Sequence, residues 1–336
     1  NFVTVVSPIE DTPGFRAGIM AGDRILKIDG RGTEKMGLSE AVKNLRGDPD
    51  TQVTVTTFRP TTSVTRDLKL TRAVINIDMV KDINSKKEFP LGPDHIGYVR
   101  IVQFSEKTGD ELEAGLKKLQ AQGMQAMVLD LRWNPGGLLD QAVEVCEKFL
   151  PRGKLVVTTE GRSPEQSSVR NAGGHGDELV DKQGHPLPMV ILVNSGSASA
   201  AEIVSGCLQD WKRAIILGDT TFGKGSVQSV IPLRDGAALR LTTAKYYTPS
   251  HKVIHEHGIT PDISVTTTED EDRFILLQRM PGGLDQLDDK EKAHFKDYHD
   301  PQLDRADDLL KAIILYSQLP EKDQSVPPTR KVAAAN

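Results

Sequence analysis

The chain has two cysteines in 336 residues, no apolar run approaching the ~20 residues of a membrane span, and no strong excess of either charge. Each shortage excludes something. Two cysteines are too few to indicate a compartment; Cys146 and Cys207 each fall on an expected helix, without metal-ligand spacing, and read as small core residues. A net charge of −5, with acids and bases intermixed, argues against a nucleic-acid partner. His251, His255 and His257 cluster without the His-Glu-x-x-His spacing of a metal site, so neither a metal nor a cofactor is expected. They remain candidates for the base of a Ser-His hydrolase. The first residues do not read as a signal peptide. The length and a hydrophobic content of 38% support two or three domains with ample core.

What the chain does carry is a serine and a lysine among small residues, in Asn194-Ser-Gly-Ser-Ala-Ser-Ala-Ala-Glu202 and Thr221-Phe-Gly-Lys-Gly-Ser-Val-Gln228. A serine hydroxyl is a poor nucleophile at neutral pH and needs a neighbouring base. A lysine serves as that base when burial keeps its amine neutral. Lys224 lies between Gly223 and Gly225, whose small size lets backbone pack closely around an amine. Beyond it Lys224, Ser226 and Gln228 alternate with Gly225, Val227 and Ser229, so the first three are expected on one face of a strand, with Gln228 holding the amine. Ser199 stands at the head of an expected helix over 200–211, where free N–H groups, that of Ala200 first, and the helix dipole favour a developing negative charge. The plainer reading of Ser199 with Glu202 is a capping box before an apolar run. Lys224 alone would be a solvated turn lysine, and Ser197 competes for either role of Ser199.

Residues 218–224 also come close to a phosphate-binding loop, Gly218-Asp-Thr-Thr-Phe-Gly-Lys224 after the apolar 214–217. The match fails at the next position. That loop needs Ser or Thr after the lysine and then a helix, whereas this chain has Gly225 and a β pattern over 227–232.

Ser-Ala-Ser-Ala-Ala-Glu202, followed by Phe-Gly-Lys-Gly-Ser-Val-Gln228 with the lysine 25 residues beyond the serine, resembles the carboxy-terminal processing (tail-specific) serine protease family. The resemblance implies catalytic roles for Ser199, Lys224 and Gln228. It extends over roughly 96–265: Leu129-Asp-Leu-Arg-Trp-Asn-Pro-Gly-Gly-Leu138 is similar to the family's turn that supplies part of an oxyanion hole, and 241–249 and 258–262 to its closing strands. Oxyanion donors are therefore expected from Ala200 and from Gly136 or Gly137. Read from its residues, this segment is a strand over 126–131, a turn, Asn134 as a cap with Pro135 in the first turn, and a helix bearing Leu139, Val143, Cys146 and Leu150. Ordinary turn chemistry would explain the two glycines equally well.

Upstream, Ala17-Gly-Ile19, Gly22-Asp23 and the alternating Arg24-Ile-Leu-Lys-Ile28 resemble a PDZ domain of the bacterial protease type, with a helix over 38–45 and strands over 53–58 and 68–70. PDZ domains add an extended peptide to a sheet edge and cradle its terminal carboxylate. The chain opens at Asn1 already inside that module, so the resemblance places the glycine-rich cradle loop, and an N-terminal helical segment, upstream of this sequence.

Beyond Val265, Thr266-Thr-Thr-Glu-Asp-Glu-Asp272 reads as an acidic, turn-like hinge, followed by helices over 290–298 and 304–318, the second amphipathic through Leu309, Leu310, Ile313 and Ile314. A polar, extended tail over 320–336 follows. No catalytic residue is expected there, and packing or self-association is the role inferred.

The expected architecture is mixed α/β: a PDZ domain over 1–72 lacking its N-terminal part, a crotonase/ClpP-like α/β protease core over 73–265, and a helical C-terminal extension over 266–336. The resemblance implies a serine endopeptidase with a Ser-Lys dyad that cleaves polypeptides near their free C-termini with PDZ assistance. It also implies a bacterial periplasmic or envelope location, with an activating adaptor and homo-oligomers as further partners. The alternatives are a Ser-His hydrolase and a peptide-binding scaffold that keeps an inactive core.

Overall fold

Every residue of Ala126–Asp130 and Met189–Val193 is buried, the signature of strands covered on both faces. They are the two central strands of the largest sheet. The structure, a computed structural model, describes residues 2–5, 12–20, 22–60, 62–75, 78–174, 179–232, 237–279, 284, 287–296 and 298–318.

The N-terminal sheet contains β1 (Val3–Thr4), β2 (Arg24–Ile28), β3 (Arg31–Gly32), β4 (Gln52–Arg59) and β5 (Val64–Thr71), all antiparallel, in the order β1-β2-β4-β5 with β3 paired to β2. Helices α1 (Pro13–Arg16) and α2 (Leu38–Leu45) flank it. Alternation along β4 buries Val53 and Val55 against Ile25, Ile28, Ala41 and Leu70. The buried Asp23 accepts two hydrogen bonds from Arg59, pinning the entry of β2 to the end of β4.

The largest sheet follows the order β15-β12-β11-β8-β7-β6, from β6 (Val80–Lys81), β7 (Ile96–Ile101), β8 (Ala126–Asp130), β11 (Met189–Val193), β12 (Ile215–Gly218) and β15 (Ile263–Ser264). Its pairs are parallel apart from β6 on β7. One face packs with α3 (Thr108–Ala121), α4 (Leu139–Glu147) and α5 (Ala200–Asp210) in the main core. A third, antiparallel sheet runs β10-β9-β14-β13, from β9 (Leu155–Gly161), β10 (Ser168–Asn171), β13 (Ser226–Pro232) and β14 (Ala238–Tyr247).

The expected acidic hinge is largely a helix. Thr268 caps α6 (Glu269–Gln278), its side chain accepting from the Glu271 N–H while Glu271 accepts from the Thr268 N–H. Four acids in a first turn suit the positive end of the helix dipole, so a run that looks like a breaker starts a helix. Next come α7 (Asp289–His294) and α8 (Pro301–Ser317). α8 lays Ala306, Leu310 and Ile314 on the second face of the central sheet, against Val128, Val190 and Leu217. Phe274 and Leu277 of α6, with Leu287 and Phe295, pack against Phe15 and Met20 of the N-terminal module. The expected tail over 320–336 lies outside the described residues.

Candidate active site

Three adjacent parallel strands deliver the sequence-predicted site residues. The turn with Asn134, Gly136 and Gly137 follows β8, Ser199 follows β11, and Lys224 follows β12. The carboxyl edge of a parallel sheet is where open α/β folds assemble sites, because loops of neighbouring strands converge there.

Backbone and small side chains lock these loops together. Ser197 is 0% exposed, its Oγ donating to the Leu131 carbonyl at 2.8 Å and accepting from the Asn194 N–H at 3.0 Å. Asn194 Oδ1 accepts from Trp133 N at 2.9 Å, Ala198 N donates to the Asn134 carbonyl at 2.9 Å, and Phe222 N donates to the Ser197 carbonyl at 3.0 Å. Ser197 is thus buried, with its hydroxyl engaged in holding the scaffold.

Ser199 has φ 56 and ψ −113, outside the regions an L-residue ordinarily adopts. Such backbone persists where surrounding contacts over-determine it, and it recurs at active sites. Glu202 supplies one of those contacts, its Oε2 accepting from Ser199 N at 2.8 Å. The helix that begins at Ala200 ends at Asp210, as the sequence predicts.

The turn after β8 departs from its expected form. Asn134 does not cap α4, which starts at Leu139; its Nδ2 donates to the Ile101 carbonyl and its Oδ1 accepts from Gly136 N at 2.8 Å. The reason is conformational: Gly136 and Gly137 have φ of +94 and +150, incompatible with a helix starting at Pro135. A Cβ on Gly136 would lie 2.7 Å from Ser199 Cβ and 2.9 Å from Ala200 N, so only glycine lets the turn approach the serine this closely. Phe104 pairs with the turn through Phe104 N to the Gly136 carbonyl and Leu138 N to the Phe104 carbonyl. The peptide groups of Gly137 face away from that pairing. Among the described residues the N–H groups of Gly137 and Ala200 have no acceptor, whereas that of Gly136 is taken.

Glu202 is the residue whose reach the sequence reading missed. It is 0% exposed, and its carboxylate accepts from Thr221 Oγ1 at 2.6 Å, Gly223 N at 2.6 Å and Lys224 N at 2.9 Å, besides Ser199 N. Thr221 Oγ1 in turn accepts from Ile259 N at 2.7 Å. The local sequence marks Glu202 only as a cap, because its other partners lie 19–22 residues away.

The expectation of a buried Lys224 amine is not met. The backbone of Gly223 and Gly225 is buried, and Gly225 packs so closely on His255 N that no Cβ would fit, yet the Lys224 side chain is exposed. Small neighbours bury the loop's backbone; burying a long side chain requires a cover, which none of the described residues supplies. The strand begins at Ser226, and a register shift between Val227 and Gln228 breaks the simple alternation of Lys224, Ser226 and Gln228. Among the described residues neither Lys224 Nζ nor the Gln228 side chain makes a hydrogen bond, and Gln228 is exposed.

Of the histidines, His251 is drawn away, its Nε2 2.7 Å from Glu160 Oε1 and its ring stacked on Tyr247. His255 lies against the lysine loop, with a buried Nδ1 that has no partner among the described residues. Cys146 and Cys207 are buried in α4 and α5, and burial pushes the Cys146 thiol up, so both act as core residues.

Behind the turn lies a buried ionic network. Burial alone would raise the Asp130 carboxyl, but Arg132 and Arg279 outweigh it and hold it well below the usual carboxylate range. Arg279, the C-cap of α6, donates to Asp130 Oδ2 at 2.7 Å and stacks over the Trp133 ring at 4.8 Å. Arg132 donates to Asp300 Oδ1 and to Gln302 Oε1 of α8. The C-terminal helices are thereby bolted to the two residues that open the glycine turn.

Residues 95–265 match the model of peptidase family S41, and residues 4–59 match a PDZ domain model. A carboxy-terminal-processing protease of Bartonella bacilliformis is 46% identical over 269 residues, covering 79% of this chain and 58% of that protein. A carboxyl-terminal-processing protease of Synechocystis is 37% identical over 294 residues, 84% of this chain and 66% of its own length. The chain thus spans about 58–66% of these curated relatives. A solved photosystem II D1 C-terminal processing protease superposes with a TM-score of 0.61 at 34% identity, over 79% of this chain and 68% of that one. With the family's sequence pattern running from His95 to Val265 and the serine and lysine loops inside it, this chain belongs to peptidase family S41 and carries a PDZ domain ahead of the peptidase core.

Proposed function

We propose that the chain is a serine endopeptidase in which Ser199 is the nucleophile and Lys224 the general base, acting on polypeptides near their free C-termini. The observation that carries this reading is the head of α5: a serine in a sparsely populated backbone conformation, beside an Ala200 N–H without an acceptor among the described residues and packed against Gly136.

In the proposed reaction the neutral Lys224 amine takes the Ser199 hydroxyl proton as Oγ attacks the substrate carbonyl carbon. The N–H groups of Ala200 and Gly137 receive the oxyanion, while Gly136, whose N–H serves Asn134, shapes the turn. The C–N bond then breaks, Lys224 returns its proton to the leaving amine, and a water activated by Lys224 releases the acyl group. A bound substrate chain would cover the exposed lysine, and desolvation favours the neutral amine. Gln228 holds the amine in that covered state. His255, with its unpartnered buried Nδ1 beside the lysine loop, favours a Ser-His base as the second reading.

The same reading divides the chain at 72 and 265. It assigns the PDZ domain to holding the substrate's tail, and it includes an extracytoplasmic, periplasmic or envelope location, an activating adaptor and self-association. Among the described residues no helix is long and apolar enough to cross a membrane. The test is digestion of an unfolded protein and of peptides with free or amidated C-termini, with Ser199→Ala as control. Cleavage that depends on Ser199 and weakens on amidation is expected. Equal cleavage by Ser199→Ala would refute the assignment, and indifference to amidation would refute tail reading.

A further inference from the structure

Arg279, the C-cap of α6, lies beyond residues 95–265, the span of the peptidase family's pattern. Its side chain is only 10% exposed and reaches back to the segment that opens the glycine turn. One of its nitrogens donates to Asp130 Oδ2 at 2.7 Å, and its guanidinium carbon lies 4.8 Å from the centre of the Trp133 ring. Arg132, bound to the same carboxylate, faces that ring at 5.4 Å. Trp133 itself has φ of +57, a value at which a bulky L-residue is strained. Such backbone persists only where the contacts around it over-determine it.

We propose that Arg279 is a positioning residue for the reaction: it pins the Trp133 ring and thereby sets Asn134, which holds the glycine turn and the serine loop in register. The proposal rests on the peptidase reading above. Asn134 follows Trp133 directly, so a rotation of the strained Trp133 backbone carries Asn134 with it. The Asn134 side chain accepts from Gly136 N at 2.8 Å, and its carbonyl accepts from Ala198 N at 2.9 Å, one residue before Ser199. Both expected oxyanion donors, the N–H groups of Gly137 and Ala200, therefore depend on where Asn134 sits. The Trp133 backbone is fixed from the serine loop: Trp133 N donates to Asn194 Oδ1, and a Cβ on Gly196 would come within 2.9 Å of the Trp133 Cα. Its ring is fixed by the two guanidiniums. Arginine suits this place because one planar group stacks on a ring while it binds a carboxylate, whereas a lysine ammonium, a point charge, has no plane to lay on the ring. A misplacement of about 1 Å costs up to about 10²-fold in rate, so a loosened Trp133 is read in kcat.

The experiment measures kcat and KM for peptide cleavage by the parent, Arg279→Lys, Arg279→Ala, Trp133→Ala and the Arg279→Lys, Trp133→Ala double variant. All are assayed at a temperature where circular dichroism shows each to be folded, and Arg279→Lys carries the test if Arg279→Ala does not fold. Both Arg279 variants should lose about 10- to 100-fold in kcat, with KM changed less than about threefold. Millimolar guanidinium, far below denaturing concentrations, should restore part of the kcat of Arg279→Ala, and sodium chloride at equal ionic strength should not. Because Arg279 and Trp133 act on one path, the double variant should be no slower than the worse single variant. Unchanged kcat in the Arg279 variants, or losses that multiply in the double variant, overturns the proposal. A second arm needs no turnover. The chain has two tryptophans, so Trp211→Phe leaves Trp133 as the sole indole reporter, and in that background acrylamide quenching should rise in Arg279→Ala and fall again with guanidinium. If quenching follows Arg279 while the parent shows no Ser199-dependent hydrolysis, the clamp on Trp133 stands and the peptidase reading falls. If hydrolysis requires Ser199 but neither kcat nor quenching responds to Arg279, the clamp falls and the peptidase reading stands.

Discussion

The Glu202 carboxylate, one turn into the helix that Ser199 heads, holds the backbone N–H of Lys224 at 2.9 Å. The same carboxylate binds the N–H of Ser199 at 2.8 Å, so one buried side chain sets the position of both loops. Replacing Glu202 by Ala would strip four donors of their acceptor, at about 1–3 kcal/mol each, and is expected to leave the chain barely folded. Glu202→Gln keeps the volume and one acceptor oxygen but turns an amide donor toward other donors. It should fold and lose about tenfold or more in kcat, with a smaller change in KM, since loop geometry rather than substrate contact is altered. Unaltered kcat in Glu202→Gln would remove Glu202 from the positioning role.

The two serines should separate cleanly. Ser199→Ala is expected to lose several orders of magnitude in turnover while melting like the parent. Ser197→Ala should keep most activity but melt earlier, because the Leu131 carbonyl and Asn194 N–H lose their partner at about 1–3 kcal/mol in total. The reverse pattern, with Ser197→Ala inactive and stable, would transfer the nucleophile's role.

Activity should rise with pH, since an amine accepts a proton only when neutral. On the proposed Ser-Lys reading, Lys224→Ala should be nearly as damaging as Ser199→Ala, because a nucleophile and its base act as a unit. A flat pH profile with chemistry shown to be rate-limiting would count against lysine, and so would near-normal turnover of Lys224→Ala alongside an inactive His255→Ala.

Stability should respond to pH at α8. Burial, then Asp304 and Asp308, push the Asp307 carboxyl up to about 6. A raised folded value means that the favourable contribution is present below the unfolded value of about 3.9 and is lost as pH rises through about 6. Asp307→Asn is therefore expected to raise the melting temperature at pH 7.5, by an amount equivalent to about 1 kcal/mol after screening by solvent, and to do little at pH 4. Equal shifts at both values would contradict this origin.

Asp130 has the opposite sign. Arg132 and Arg279 outweigh burial and depress its carboxyl, so its stabilising contribution is present above about pH 3.9 and fades as pH falls toward the depressed folded value. Removing one partner of a buried pair costs about 3–5 kcal/mol. Arg279→Met should approach the lower end of that range at neutral pH, because Arg132 still faces Asp130, and its penalty should shrink in acid. A penalty independent of pH would point to lost packing on Trp133 instead.

Periodicity made the PDZ elements legible. Leu38–Leu45 forms as its spacing predicts, and Gln52–Arg59 and Val64–Thr71 extend the predicted strands by a few residues at their ends. It failed where backbone conformation overrides pattern. Asn134 and Pro135 have the form of a helix start, and two glycines at positive φ postpone the helix to Leu139. The acids over 269–272 have the composition of a hinge, and a capping threonine makes them a first turn.

The sequence by itself determined the apolar strand over 126–130, the serine at a helix head and the glycines around the lysine, because these depend on local periodicity, caps and the absence of a Cβ. Only the tertiary structure decided the rest. It joined Glu202 to donors 19–22 residues away, assigned Asn134 to Gly136 and thereby left Gly137 open, and set Phe274 of α6 against Phe15 of the PDZ module. It also left the Lys224 side chain exposed while burying the glycines beside it. Hydrogen-bond partners and burial are properties of what the fold brings alongside a residue, and no local pattern encodes a neighbour that arrives from another strand's end.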